Sequence, residues 1–254
     1  MKPLGSLGAV LPLVVLGASA CGANNSPGEP IKYSSTAVLA DFEISAAVNP
    51  DSKDPARWSA NGIFFKSADT SPDGTQDLNV KPLDTPRINP DGSMSKQALH
   101  VTDNGLHAFW GSAWLTYMGK NAFLFANLSD FTGMYFWMKS DGLPVPTVKV
   151  ALPDYHSYAF ELPAGTPITP DTLLPGCDDT DTSVGGKGCY DDYSVKIYPD
   201  GQWRRYDIPF SALTTGGWGY PHAFDPSMIF EIKFAMLPEA KYDIWIDDIT
   251  FYTR

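Results

Sequence analysis

Cysteine is scarce in this chain: of 254 residues only Cys21, Cys177 and Cys189 carry a thiol. That count excludes a disulfide-dense scaffold. A zinc site on Cys177 and Cys189 lacks histidines at ligand spacing. Glutamate is nearly as rare, at Glu29, Glu43, Glu161, Glu231 and Glu239. None stands in a Glu-x-Asp-x-x-Glu arrangement, so the paired carboxylates of glycoside hydrolysis have no motif behind them. A Gly-x-Ser-x-Gly elbow is also missing, and the chain reads as non-catalytic. Basic residues number 18 against 29 acidic, and a net charge of −11 argues against nucleic acid or anionic lipid as partners. No apolar run is long enough to span a bilayer. Gly185-Gly186-Lys187-Gly188 lacks the following Ser or Thr of a phosphate loop. No stretch keeps a helical period, and no internal repeat or second composition regime marks a further domain.

Residues 1–20 have the form of a secretion signal, with Lys2 as its charged start and Leu7 to Leu16 as its apolar stretch. The segment Leu16-Gly17-Ala18-Ser19-Ala20-Cys21 looks like a bacterial lipobox, departing from the usual pattern at Ala18. Cleavage there leaves Cys21 as a lipidated N-terminus; the alternative is an ordinary signal with a leftover cysteine. Odd cysteine counts in exported proteins call for a use of the unpaired thiol, and acylation of Cys21 supplies one. Cys177 and Cys189 then pair across an acidic loop in an oxidising compartment. These features predict an exported protein, lipid-anchored to the outer membrane or cell surface, that touches membrane through its anchor alone.

The stretch 21–36 is rich in Gly, Asn, Ser and Pro, as a tether is. From residue 37 to 254 short alternating runs are separated by many of the 22 glycines and 22 prolines of the chain, which predicts one all-β domain. Strands are expected at 57–66, 97–102, 106–115, 122–125, 134–139, 147–152, 193–198, 203–210, 228–236 and 242–252, enough for an antiparallel β-sandwich of two packed sheets with long decorated loops. Three long segments, 67–95, 153–172 and 173–192, are read as loops. In the run at 134–139, Met134, Phe136 and Met138 share one face while Tyr135, Trp137 and Lys139 share the other. Phe230, Ile232 and Phe234 oppose Glu231 and Lys233 in the same way, and Tyr242, Ile244 and Ile246 oppose Asp243 and Trp245. Such amphipathic outer faces suit a sugar, whose ring offers C–H patches for stacking and hydroxyls for hydrogen bonds. Burial under loops is the plainer fate of any single tryptophan.

Asp41-Phe42-Glu43, Gln97-Ala98-Leu99-His100-Val101, Leu128-Ser129-Asp130-Phe131-Thr132-Gly133-Met134, Trp218-Gly219 and Ile244-Trp245-Ile246-Asp247-Asp248-Ile249 occur in an order that resembles the jelly-roll carbohydrate-binding modules, especially family 11. The order is also similar to that of myxobacterial surface lipoproteins carrying such a domain. The resemblance covers nearly all of the mature chain. It implies a jelly roll with a glycan-binding sheet, and a structural calcium joining the N- and C-terminal strands. Glu43 and Asp247 can offer calcium carboxylates, with Asp41 as a further ligand or a cap of the strand start. Ile246 and Ile249 share the core side only if the strand bulges at Asp247 and Asp248.

Of the aromatics in loops or beside glycine, Trp110, Tyr155, His156, Trp218 and Tyr220 are the expected carbohydrate platform. Trp58, Trp203 and Trp245 are assigned to packing. The acidic region from Cys177 to Asp192 either holds a second calcium or is solvated. The function expected is non-catalytic binding of a polysaccharide by a monomeric cell-envelope protein. An adhesion or scaffold protein on the same fold is the competing reading, separated by whether aromatics line an open groove.

Overall fold

The computed structural model describes residues 35–43, 64–117, 126–142, 144–159, 177, 178, 180 and 187–254. The signal segment, most of the tether with Cys21, Trp58 and the strand expected at 122–125 lie outside the described residues. Eleven strands are described: β1 (Ser35–Ala40), β2 (Phe65–Ala68), β3 (Gln76–Ile88), β4 (Met94–Asn104), β5 (Ser112–Tyr117), β6 (Gly133–Ser140), β7 (Val148–Ala151), β8 (Ser194–Ile197), β9 (Arg204–Pro209), β10 (Glu231–Met236) and β11 (Lys241–Thr253). They form two sheets, one in the order β3-β4-β11-β6-β9 with β1 on the second half of β11, the other in the order β2-β5-β10-β7-β8. Every pairing between these described strands is antiparallel, which gives the β-sandwich expected from the sequence.

The alternation read in the sequence sorts side chains as expected. Met134, Phe136 and Met138 on β6, Ile232 and Phe234 on β10, and Ile244 and Ile246 on β11 are fully buried between the sheets. Phe136 meets Phe234 edge-on at 5.2 Å, and Trp114 lies 5.4 Å from Phe234 and 5.8 Å from Tyr242, so aromatic contacts join the two layers. Phe234 touches both, and Phe234→Ala would cost about 3–5 kcal/mol through lost burial and the cavity left behind. The β11 bulge is also present: register against β6 shifts between Asp247 and Thr250, Asp248 takes φ 50°, and Ile246 and Ile249 are both buried.

Two expectations need correction. The segment 67–95 is not a loop, because it holds the 13-residue strand β3. Pro82 and Pro86 argue against a central strand, but β3 is an edge strand whose register against β4 shifts between Pro82 and Arg87. The turn Asn89-Pro90-Asp91-Gly92-Ser93, with Gly92 at φ 84°, closes the hairpin. The strand expected from Leu106 starts only at Ser112. Residues before it form a loop pinned by buried Asp69, whose carboxylate accepts hydrogen bonds from the amides of Phe109 (2.8 Å) and Gly111 (3.1 Å).

Cys177 and Cys189 are disulfide-bonded and both buried. Closing a loop of this size contributes about 3 kcal/mol on the chain-entropy account. The bond fixes the chain immediately before Tyr190.

Candidate functional site

The outer face of the second sheet carries a groove of about 630 Å³. Strand register builds its floor. One row of outward side chains crosses all five strands as Ser67, Ala113, Ala235, Lys149 and Lys196, and the next runs Phe65, Leu115, Lys233, Ala151 and Ser194. Residues between them in sequence, such as Trp114, Phe234 and Val150, point into the core. Small residues on β2, β5 and β10 leave a trough, and lysines rise beside it on β7 and β8.

Aromatic rings close both ends. Trp110, 51 % exposed, stands with Leu237 where β10 ends. Its neighbour Gly111 has φ 96°, and a Cβ there would fall 2.4 Å from the Met236 carbonyl oxygen, so glycine lets this loop lie against β10. Where β10 begins, Tyr158 packs 4.1 Å from Phe230 and meets Tyr190 edge-on at 5.8 Å. The Tyr190 amide donates to the Ser157 carbonyl (2.7 Å), and its backbone is held at φ 72° beside the disulfide.

Charge on the floor is arranged around Lys233, whose Nζ lies 2.6 Å from Asp192 Oδ2 and 3.6 Å from Glu231 Oε1. Burial and the nearby Asp192 charge push Glu231 up to about 7, with Lys233 opposing the rise. Burial works against the charge on Lys233, but Asp192 and Glu231 outweigh it and raise the ammonium above its ordinary value. Lys149 moves the other way, lowered chiefly by burial despite Asp192. Among the described residues Asp192 Oδ1 and Glu231 Oε2 are buried with no hydrogen-bond partner. An unpaired buried acceptor costs roughly 1–3 kcal/mol, so a ligand donor there would relieve it.

The expected platform residues divide. Trp110 lines the groove. Tyr155, His156 and Tyr220 gather elsewhere with His222: His156 lies 4.9 Å from Tyr155, 6.3 Å from Tyr220 and 5.2 Å from His222. Fully buried Asp154 organises that cluster, accepting from the amides of His156 (3.0 Å) and Asp225 (3.1 Å). Trp218, 43 % exposed, sits on a turn whose amides at Gly216, Trp218 and Gly219 donate to Asp191. The groove adds Lys149, Tyr158, Tyr190, Asp192, Lys196, Glu231 and Lys233 to Trp110. Glu231 and Lys233 were visible as an outward-facing pair; Lys149 and Lys196 join them through strand pairing, and Tyr158, Tyr190 and Asp192 come from the connection between β7 and β8.

The aromatic faces of β6 and β11 belong to the first sheet and do not join this groove. There the rings are covered by the protein's own cations, with Arg87 4.6 Å from the Trp137 centroid and 5.6 Å from that of Trp203, and Lys139 5.4 Å from that of Trp245. His100 stacks on Trp245 at 4.1 Å. Trp203 and Trp245 therefore pack on the outside of the sheet, half-buried, rather than in the core.

The three carboxylates expected around calcium are each engaged by protein donors. Asp247 Oδ2 lies 2.7 Å from the Arg87 guanidinium and accepts from Ser95 Oγ. Glu43 Oε1 accepts from the amides of Lys96 (2.6 Å) and Gln97 (3.2 Å), and Asp41 from the amide of Glu43. Arg87 also reaches Asp248 at 2.5 Å. A buried guanidinium fixed against Asp247 and Asp248 does not fit a calcium ion in the same place. Among the described residues no group of three or more His, Cys, Asp and Glu is placed to hold a metal.

No family model and no curated protein matches the sequence. Among solved structures, the chain is similar to the family 11 carbohydrate-binding module of the cellulosomal cellulase Lic26A-Cel5E of Clostridium thermocellum, at 13 % identity and TM-score 0.49 over 87 % of this chain and 95 % of that one. A family 11 module from the same organism, in complex with a β-1,3-1,4-mixed-linked tetrasaccharide, gives 14 % identity and TM-score 0.48 over 86 % and 95 %. The family 30 module of the cellulase Cel9D-Cel44B of Clostridium thermocellum gives 13 % and 0.42 over 76 % and 92 %.

Proposed function

We propose that this protein binds an extended polysaccharide chain in the groove of the second sheet, as a non-catalytic, lipid-anchored component of the cell envelope. The observation that carries the reading is the groove itself, a floor of small residues between Trp110 at one end and Tyr158 and Tyr190 at the other. From Phe230 to Leu237 the chain advances about 23 Å at ~3.3 Å per residue, a span that suits several sugar units rather than one. Aromatic faces stack on the C–H side of sugar rings, while Asp192 Oδ1 and Glu231 Oε2 offer acceptors to hydroxyl groups. The lipid anchor rests on the sequence around Cys21, and mass spectrometry of the mature protein should find acyl chains on that residue. A mature N-terminus elsewhere overturns the anchor.

The test of binding is a broad glycan array with the purified full chain, followed by titration of each hit against Trp110→Ala. Retention of at least one glycan, weakened in the variant at unchanged melting temperature, is the expected result. With no glycan retained by the folded chain, the adhesion or scaffold reading replaces this one.

A further inference from the structure

Lys149 and Lys196 are directly paired across β7 and β8 on the outer face, and Lys233 stands on the adjoining strand one row along. Like charges placed directly opposite destabilise a sheet, so this pairing needs a compensating partner. The two carboxylates of the groove supply it only in part: Asp192 and Glu231 make their direct contacts with Lys233, and Asp192 acts on Lys149 from beyond contact distance. Among the described residues neither Lys149 nor Lys196 has an ion-pair or hydrogen-bond partner for its ammonium. Burial disfavours the charge on Lys149 more than the nearby Asp192 and Asp191 carboxylates support it, and the ammoniums of Lys233 and Lys196 add to the burial effect. All three lysines line one cavity of a chain whose net charge is −11. With Asp192 and Glu231 engaged by Lys233, the cationic excess of the lining sits at Lys149 and Lys196, against the overall composition of the chain.

We infer that the groove selects an acidic glycan, one bearing carboxylate or sulfate groups, with Lys149 and Lys196 receiving an anionic substituent and Trp110 stacking on a neighbouring ring. This rests on the proposed carbohydrate-binding reading and narrows it to a substrate class. Two ammoniums on adjacent strands form a compact cationic pair, and Coulomb attraction in the half-enclosed groove is screened less than at an open surface. Lys233 keeps its carboxylate partners and serves to hold the floor together.

The experiment titrates the full chain with a galacturonate tetrasaccharide, a sulfated galactan tetrasaccharide and a neutral β-1,3-1,4-linked glucose tetrasaccharide, at low and at 0.5 M salt. At least one acidic probe should bind about tenfold or more tightly than the neutral one at low salt, as expected of a charge-assisted contact, with the gap closing at high salt. Whichever acidic probe binds identifies the substituent. Lys149→Met and Lys196→Met should each remove most of that preference, while Lys149→Arg retains it. Methionine keeps the apolar stem of lysine, so melting temperatures should hold or rise as the like-charge pair is removed. Equal or better binding of the neutral probe overturns the inference while leaving carbohydrate binding intact, as does acidic binding unchanged by both methionine variants. Failure of all three probes overturns the acidic-glycan inference; if the glycan array is also blank, the carbohydrate reading falls with it.

Discussion

Lys233 Nζ lies 2.6 Å from Asp192 Oδ2, and this contact joins the central strand of the groove floor to the segment that follows the disulfide. Glu231 stands on the same face of β10 and shares the lysine. Three charged groups are thus buried together, with Glu231 the least able to remain ionised.

Its titration makes stability depend on pH with a definite sign. The folded-state value of Glu231 is about 7, raised from the ordinary 4.5, so between these values the folded chain holds a proton that the unfolded chain has released. Stability from this group is therefore present below about pH 4.5 and lost as pH rises through about 7. The denaturant midpoint of the parent should fall across that window more steeply than that of Glu231→Gln, which keeps the slope contributed by buried Asp247, likewise raised to about 7. Parallel curves for the two proteins would refute the assignment.

Arg87 gives a second prediction, opposed to the calcium expected from the sequence. Its side chain and that of Asp247 are 4 % and 0 % exposed, and truncation leaves buried carboxylates without their cation. Breaking such a pair costs about 3–5 kcal/mol, so Arg87→Met should lower stability by that order. Because the guanidinium already sits against Asp247 and Asp248, the parent should melt at the same temperature in excess calcium and in chelator. Stabilisation by calcium would restore a site on Asp41, Glu43 and Asp247.

The disulfide prediction concerns stability and the groove together. Replacing both Cys177 and Cys189 by serine should cost about 3 kcal/mol and lower Tm by about 6–12 °C for a domain of this size. Tyr190 is adjacent to Cys189, so glycan affinity should fall as well. Lost stability with fully retained affinity would separate the loop from the groove.

Much of the sandwich was legible because burial on one face writes a period of two into β6, β10 and β11. The bulge could be read from the displaced phase of Ile246 and Ile249. Strand β3 was hidden by Pro82 and Pro86, which only an edge position tolerates. The groove was illegible for a different reason: its central row takes residues from positions 67, 113, 149, 196 and 235, and only strand register brings these together. Glycine and loop context singled out Trp110, which lies at the groove end, together with Tyr155, His156 and Tyr220, which gather around Asp154 outside the groove; loop context alone does not separate the two places.

That division yields the last prediction. Tyr155 and Tyr220 pack in a half-buried cluster built around Asp154 and His222, where ring contacts contribute to the fold. Trp110 is largely exposed at the groove end and has little to lose from truncation in the absence of ligand. Trp110→Ala should therefore weaken retention in a glycan affinity gel by about 0.5–1.5 kcal/mol, as one stacking contact does, at nearly constant Tm. Tyr155→Ala should do the reverse, lowering Tm by several degrees and leaving retention of the folded fraction close to that of the parent. Trp218, exposed on the Asp191 turn outside the groove lining, should change neither. If Tyr155→Ala or Trp218→Ala abolishes retention while Trp110→Ala has no effect, the glycan lies over the Asp154 cluster, and the groove of the second sheet is not the site.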